Sequence, residues 1–180
     1  MGEKDTMTKE AFADMLRSGK PNTRGRTEEV VALVEKQPDR MEELYQCYFD
    51  DNEWVRMRTS GSMKRVWRAH PDWVMPYIDR FLEDVCHIDQ ASAQWTMADC
   101  FRELAERLTP DQRKRAIEEV KIYLESSEDW IVLNSAMQTL AEYIVYDPKL
   151  ANWLRPHLRR MIHDPRKSIS KRAIRLLKEV

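Results

Sequence analysis

Apolar residues recur along this chain at the three- and four-residue steps of an α-helix, and each stripe stops at a short polar break. Leu44 shares a face with Tyr48, Ile117 with Val120 and Leu124, and Leu154 with Leu158 and Ile162. The breaks fall at Asp50-Asp51-Asn52, Ser126-Ser127-Glu128 and Asp164-Pro165, and a second amphipathic stretch follows each one. The whole arrangement is then copied. Leu44, Leu82, Val120 and Leu158 are spaced by 38 residues each time, and Tyr48, Cys86, Leu124 and Ile162 keep the same step.

Prolines mark the copies independently. Pro38, Pro71, Pro110 and Pro148 stand at intervals of 33, 39 and 38 residues, at predicted helix starts, where a missing N–H costs nothing. Thr109 and Asp147 directly precede two of them and suit the N-cap. In the second helices small side chains recur at one level (Thr59 and Ser60, Ala98, Ala136, Ala173), which predicts close helix approach there. The register drifts by about one residue between copies. The segments "DDNEWVRMR" (50–58) and "SSEDWIVLN" (126–134) are accordingly the same turn in different copies, with Trp54 and Trp130 expected to pack at it.

The predicted unit is helix–turn–helix, with copies at about 38–70, 71–109, 110–147 and 148–180. A shorter helix, "TEEVVALVEK" (27–36), precedes them with Thr27 as its expected N-cap. One such pair cannot bury its apolar faces, but a stack can, so the expected fold is all-α: an α-solenoid of about four helix pairs. Residues 1–26 read as an N-terminal tail or cap, with a possible short helix in "EAFADMLR" (10–17) that gathers Phe12, Met15 and Leu16, and a loop at 18–26.

The acid-rich turn followed by "WVR" at 54–56 and Thr59 resembles the HEAT-repeat signature of Asp, then Val-Arg, then a small residue. "HDPRKSISKRAIRLL" (163–177) keeps the layout with Ile169 and Ala173 but has no Arg beside Ile169; "IVLNSAMQTLAEY" (131–143) likewise keeps the apolar and Ala positions. The resemblance covers roughly 27–180 and implies a HEAT-like α–α superhelix whose second helices line a concave surface. Arrays of that type mostly bind other macromolecules.

Composition agrees with a helical domain. The 180 residues are 42% hydrophobic and 34% charged, and of the four glycines none follows Gly61, which disfavours a turn-rich β fold. Net charge is −1, but Lys149–Val180 carries ten Lys/Arg against two acids, leaving −9 on the first 148 residues. Three cysteines (Cys47, Cys86, Cys100) without framework spacing read as reduced thiols of a cytoplasmic protein, and no apolar run reaches the length of a membrane helix.

Catalytic constellations are sparse. "GKPNT" (19–23) lacks the glycine spacing of a phosphate loop, and Cys86-His87 has no second ligand pair at zinc spacing, so neither cofactor nor metal is expected. The strongest candidate lies on the helix whose core stripe is Met97, Ala98, Phe101, Leu104, Ala105 and Leu108. Opposite it run Trp95, Asp99, Arg102 and Glu106. On the last helix Ile169, Ala173, Ile174 and Leu177 are the expected buried face, leaving Lys171, Arg175 and Lys178 opposite.

Carried along the array, the concave stripe is Lys64 and Arg68, then Trp95, Asp99 and Arg102, then Asn134 and Gln138, then Lys171, Arg175 and Lys178. These residues are the expected partner-binding surface of a non-catalytic interaction module that takes a protein or peptide. The alternative is nucleic-acid binding through the basic C-terminal repeat. Its extreme is suggested by Trp95 and Asp99, one turn apart, which are similar to the HEAT-like alkylpurine DNA glycosylases. That family has an Arg on the next equivalent helix, where this chain has Asn134 and Gln138.

Overall fold

A computed structural model describes residues 9–180; the first eight residues of the expected 1–26 tail lie outside the described residues. No strand occurs among the described residues. The helices are α1 (Phe12–Arg17), α2 (Thr27–Lys36), α3 (Met41–Gln46), α4 (Glu53–Ala69), α5 (Pro71–Val74), α6 (Ile78–Glu83), α7 (Ala91–Glu103), α8 (Pro110–Ser126), α9 (Trp130–Tyr143), α10 (Leu150–Met161) and α11 (Lys167–Leu176). The chain divides into two compact units, Met1–Val66 and Trp67–Val180, with the boundary inside α4.

In the first unit α1 buries Phe12, Met15 and Leu16, the face its spacing predicts. The free N–H of Phe12 donates to Glu43 Oε1 at 2.8 Å, so an α3 carboxylate satisfies a donor of the first turn of α1. The Arg40 guanidinium lies over the Phe12 ring, 3.6 Å from its centroid, and bonds Glu43 at 2.6 and 2.8 Å. Thr27 does not cap α2. It is the first helical residue, it is buried, and its hydroxyl donates to the Arg24 carbonyl, because the chain enters from a turn that already aims that carbonyl at it.

Residues 18–26 form the expected loop, and they are held from below. Arg58 of α4, 2% exposed, donates to the carbonyls of Leu16 (2.6 Å), Ser18 (2.9 Å), Lys20 (2.7 Å) and Thr23 (2.9 Å). Gly25 sits at φ +51°, where a Cβ would come within 2.9 Å of the Ser18 oxygen and 3.0 Å of the Arg58 guanidinium carbon. Only glycine fits there without displacing the guanidinium.

The second unit contains the clearest helix caps. Thr109 and Gln112 complete a capping box at the start of α8, with Pro110 in its first turn. Asp129 caps α9 by accepting from Ile131 and Val132, as Asn52 caps α4 in the first unit by accepting from Trp54 and Val55. The cap stands two residues before Trp54 but one before Trp130, an offset of one residue between the two turns. That offset also turns Trp130 outward, 51% exposed, so it does not pack at the turn as expected.

The 38-residue ladder is buried throughout: Leu44, Leu82, Val120 and Leu158 are at most 2% exposed. In the second ladder Tyr48, Cys86 and Leu124 are buried, while Met161 takes the place expected of Ile162. Thr59, Ser60, Ala98, Ala136 and Ala173 are all fully buried. Within the second unit α7 packs on α9 and α9 on α11, while α6 packs on α8, and α8 and α10 both pack on α9. Three hydroxyls cross these contacts in the interior: Tyr123 donates to the Cys86 carbonyl (2.9 Å), Thr139 to that of Ala98 (2.9 Å) and Tyr143 to that of Phe101 (2.7 Å).

The last helix departs from expectation. Its buried face is Ile169, Ala173 and Leu176; Ile174 is 46% exposed and Leu177 half-buried. Positions 169, 173 and 176 make a narrow stripe at steps of four and three, and Ile174 is rotated about 100° from Ala173. The packing of α11 on both α9 and α10 selects that stripe.

Candidate functional site

In the second unit, α7, α9 and α11 each present one polar stripe beside their buried face. The α7 stripe is Trp95, Asp99 and Arg102, on the helix whose core side (Met97, Ala98, Phe101, then Leu104, Ala105 and Leu108) is buried as its spacing predicts. Asp99 is itself buried at 8% exposure, and Arg102 donates to it at 3.1 Å. The Arg102 guanidinium also lies 3.7 Å from Glu103 and 3.8 Å from Glu142, so three carboxylates surround it. Glu103 in turn accepts from the indole N–H of Trp67 (2.8 Å) and from Arg68 through Nε (2.8 Å) and Nη2 (2.5 Å). That fork holds the Arg68 proton more firmly than usual, mainly through the hydrogen bonds to Glu103.

The α9 stripe links acid to base. Gln138 Nε2 donates to Glu142 Oε1 at 2.7 Å, while Gln138 Oε1 accepts from Arg172 Nη1 (2.8 Å) and Arg175 Nη2 (2.5 Å) of α11. One neutral carboxamide thus joins a cationic side to an anionic side. One turn earlier Asn134 Nδ2 donates to the Trp130 carbonyl at 2.8 Å and lies 3.4 Å from Ser168 Oγ of α11. Its Oδ1 is buried without a hydrogen-bond partner. Burial, and then the charges of Arg175 and Arg102, lower the proton affinity of Arg172 below that of an ordinary arginine.

The structure therefore brings together Arg68, Asp99, Arg102, Gln138 and Arg175, with Asn134 at one end; Trp95 is half-buried on the same α7 stripe. Lys171, exposed on α11 away from its buried stripe, and Lys178, exposed just beyond the end of α11, take no part in these bonds. Lys64 belongs to the first unit, half-buried on α4. Three members were not expected from sequence: Glu103, Glu142 and Arg172. Arg172 rather than Lys171 meets Gln138 because the buried face of α11 is rotated from the expected one.

A cavity of about 340 Å³ adjoins the acidic side, at the C-terminal ends of α7 and α9, lined by Arg102, Glu103, Arg107, Glu142, Val145 and Tyr146 among others. Val145 is 75% exposed there. Elsewhere the chemistry is subdued. No group of three or more His, Cys, Asp or Glu among the described residues is placed to hold a metal. The thiols of Cys47 and Cys86 are pushed up to about 12 by burial, which keeps them protonated and unreactive at neutral pH. No helix among the described residues is long and apolar enough to cross a membrane.

No protein-family model matches the chain, and comparison with curated proteins returns no significant match.

Proposed function

We propose that the chain is a HEAT-type solenoid module, non-catalytic, that binds a protein or peptide partner across the second-helix face formed by α7, α9 and α11. The observation that supports this reading is the bridge through Gln138, which sets unlike charges side by side on one surface. A partner carrying both signs can be complementary to such a surface, whereas a polyanion meets Glu103 and Glu142 there. The fully buried 38-residue ladder and the small residues between neighbouring helices support the repeat architecture. Three buried cysteines, none in a disulfide, accord with a reducing, cytoplasmic setting.

A second reading, nucleic-acid binding by the C-terminal repeat, rests on the ten Lys/Arg against two acids in Lys149–Val180. Its glycosylase-like extreme draws on Trp95 and Asp99, and the close bond from Arg102 weakens that version. A photo-crosslinking amino acid in place of Trp95, with a control in place of the exposed Ile122 of α8, tests the main reading in cells of the host. Polypeptide adducts at 95, resistant to nuclease and absent at 122, are expected. Nucleic-acid adducts, or equal labelling at both positions, would move the assignment to the second reading or away from this face.

A further inference from the structure

Resting on the reading of α7, α9 and α11 as a partner-binding face, the geometry points to Arg172 and Arg175 as a docking subsite for a carboxylate side chain of a mixed-charge peptide, with Gln138 holding its place in the free protein. Gln138 Oε1 is a single uncharged acceptor for two guanidinium groups, at 2.8 Å from Arg172 and 2.5 Å from Arg175. A carboxamide oxygen has two lone pairs and no net charge; a carboxylate offers two oxygens, a full charge, and the geometry that matches a guanidinium fork. Exchange of the first acceptor for the second is therefore favourable.

Neither cation has a close, buried carboxylate partner among the described residues. Arg175 has Glu179 at 3.4 Å, with both side chains half exposed, a pairing that contributes little. Among the described residues no carboxylate lies within ion-pair distance of Arg172. Arg172 is half-buried beside Arg175 and Arg102; burial first, and then the charges of those two groups, lower its proton affinity against the pull of Asp99 and Glu142, and an arriving anion offsets the repulsive part.

The surroundings select the kind of anion. Gln138 passes its other hydrogen bond to Glu142, which is half exposed at the edge of the cavity that Glu103 also lines. A chain of phosphates following the face from α11 would run into these two carboxylates. A peptide that pairs an acidic side chain with a basic one is complementary to both ends: its carboxylate on Arg172 and Arg175, its ammonium or guanidinium at Glu142. The balance of the whole second unit, eighteen Lys/Arg and eighteen Asp/Glu in 67–180, likewise gives it no net field to draw in a polyanion.

The test titrates the full-length protein with three probes: an alternating Glu-Lys octapeptide, which offers both charges at several spacings, an all-Gln octapeptide, and oligothymidylate. The readout is the ¹⁵N-resolved Nε–Hε resonances of Arg172 and Arg175. Saturable shifts with the Glu-Lys peptide alone are expected. Gln138→Glu, which installs a permanent carboxylate at the same place, is expected to weaken the peptide by about tenfold, while Gln138→Ala leaves it bound. Thermal melts of both variants establish that they are folded. Silence of both resonances toward the peptide, tighter binding of oligothymidylate, or undiminished binding by folded Gln138→Glu would each overturn the subsite. Crosslinking at 95 that persists in a Arg172→Gln/Arg175→Gln variant removes the subsite but keeps the face; its absence in the unaltered chain removes the face itself.

Discussion

Arg58 in the first unit and Arg172 in the second are both guanidinium groups bonded to uncharged oxygens, yet their settings are opposed. Arg58 is 2% exposed and spends its donors on four main-chain carbonyls, that of Leu16 in α1 and those of Ser18, Lys20 and Thr23 in the loop after it. Those oxygens are fixed by the backbone, so the interaction is complete without any ligand. Arg172 is half-buried, donates to a side-chain amide oxygen, and stands beside like charges. Its acceptor is a rotatable group at a surface. A cation enclosed by backbone dipoles organises the fold, whereas one resting on a replaceable side chain is available to a partner.

The largest break in this comparison comes from Arg58→Ala. It strands the carbonyl of Leu16 and three carbonyls of the 18–26 loop and is expected to cost about 3–4 kcal/mol in urea unfolding, with faster amide exchange over 18–26. Gly25→Ala leaves the cation in place but crowds it, and its positive φ adds strain; a loss of about 1–2 kcal/mol is expected by the same measurement. Thr139→Val removes the buried hydroxyl bond to the Ala98 carbonyl and is expected to cost about 1 kcal/mol. Arg172→Gln sits at the other extreme: stability is expected to change by less than about 0.5 kcal/mol, while binding of a mixed-charge peptide falls. Equal destabilisation by Arg58→Ala and Arg172→Gln would collapse the distinction.

Acid sharpens it further. Burial of Glu43 favours its neutral form, but the hydrogen bonds from Arg40 and from the Phe12 amide outweigh that and hold its carboxyl below the usual glutamate range. A depressed folded-state pKa means that the stabilisation is present above the unfolded value and is lost as pH falls through the folded one. Glu43→Gln is therefore expected to flatten the acid limb of a stability–pH curve below about pH 4.5 and to leave the Gln138 network untouched.

The periodic burial of Leu44, Leu82, Val120 and Leu158 was readable because an apolar contact needs only the right residue at the right step. The small residues at Ala98, Ala136 and Ala173 followed from the same logic. Polar partners follow a different rule. Arg58 bonds carbonyls that every residue carries, so no pattern of residue types announces it. Arg172 differs from Lys171 by 100° of helix rotation, and that rotation was set by which of Ile169, Ala173, Ile174, Leu176 and Leu177 packed inward. Glu103 and Glu142 joined the site through side chains that reach across helices, at offsets the repeat step does not fix.

The hydroxyls of Tyr123, Thr139 and Tyr143 have a further effect beyond the hydrogen bonds they form. Apolar faces packed together can slide past one another by a turn and still keep most of their contact. A hydroxyl aimed at one carbonyl cannot: a slip leaves both groups dry and unpaired in the interior. Each of these three side chains therefore acts as an alignment pin. Together they raise the energy of misthreaded stackings while adding little to the depth of the correct one, so accuracy of assembly here is set by three oxygen atoms.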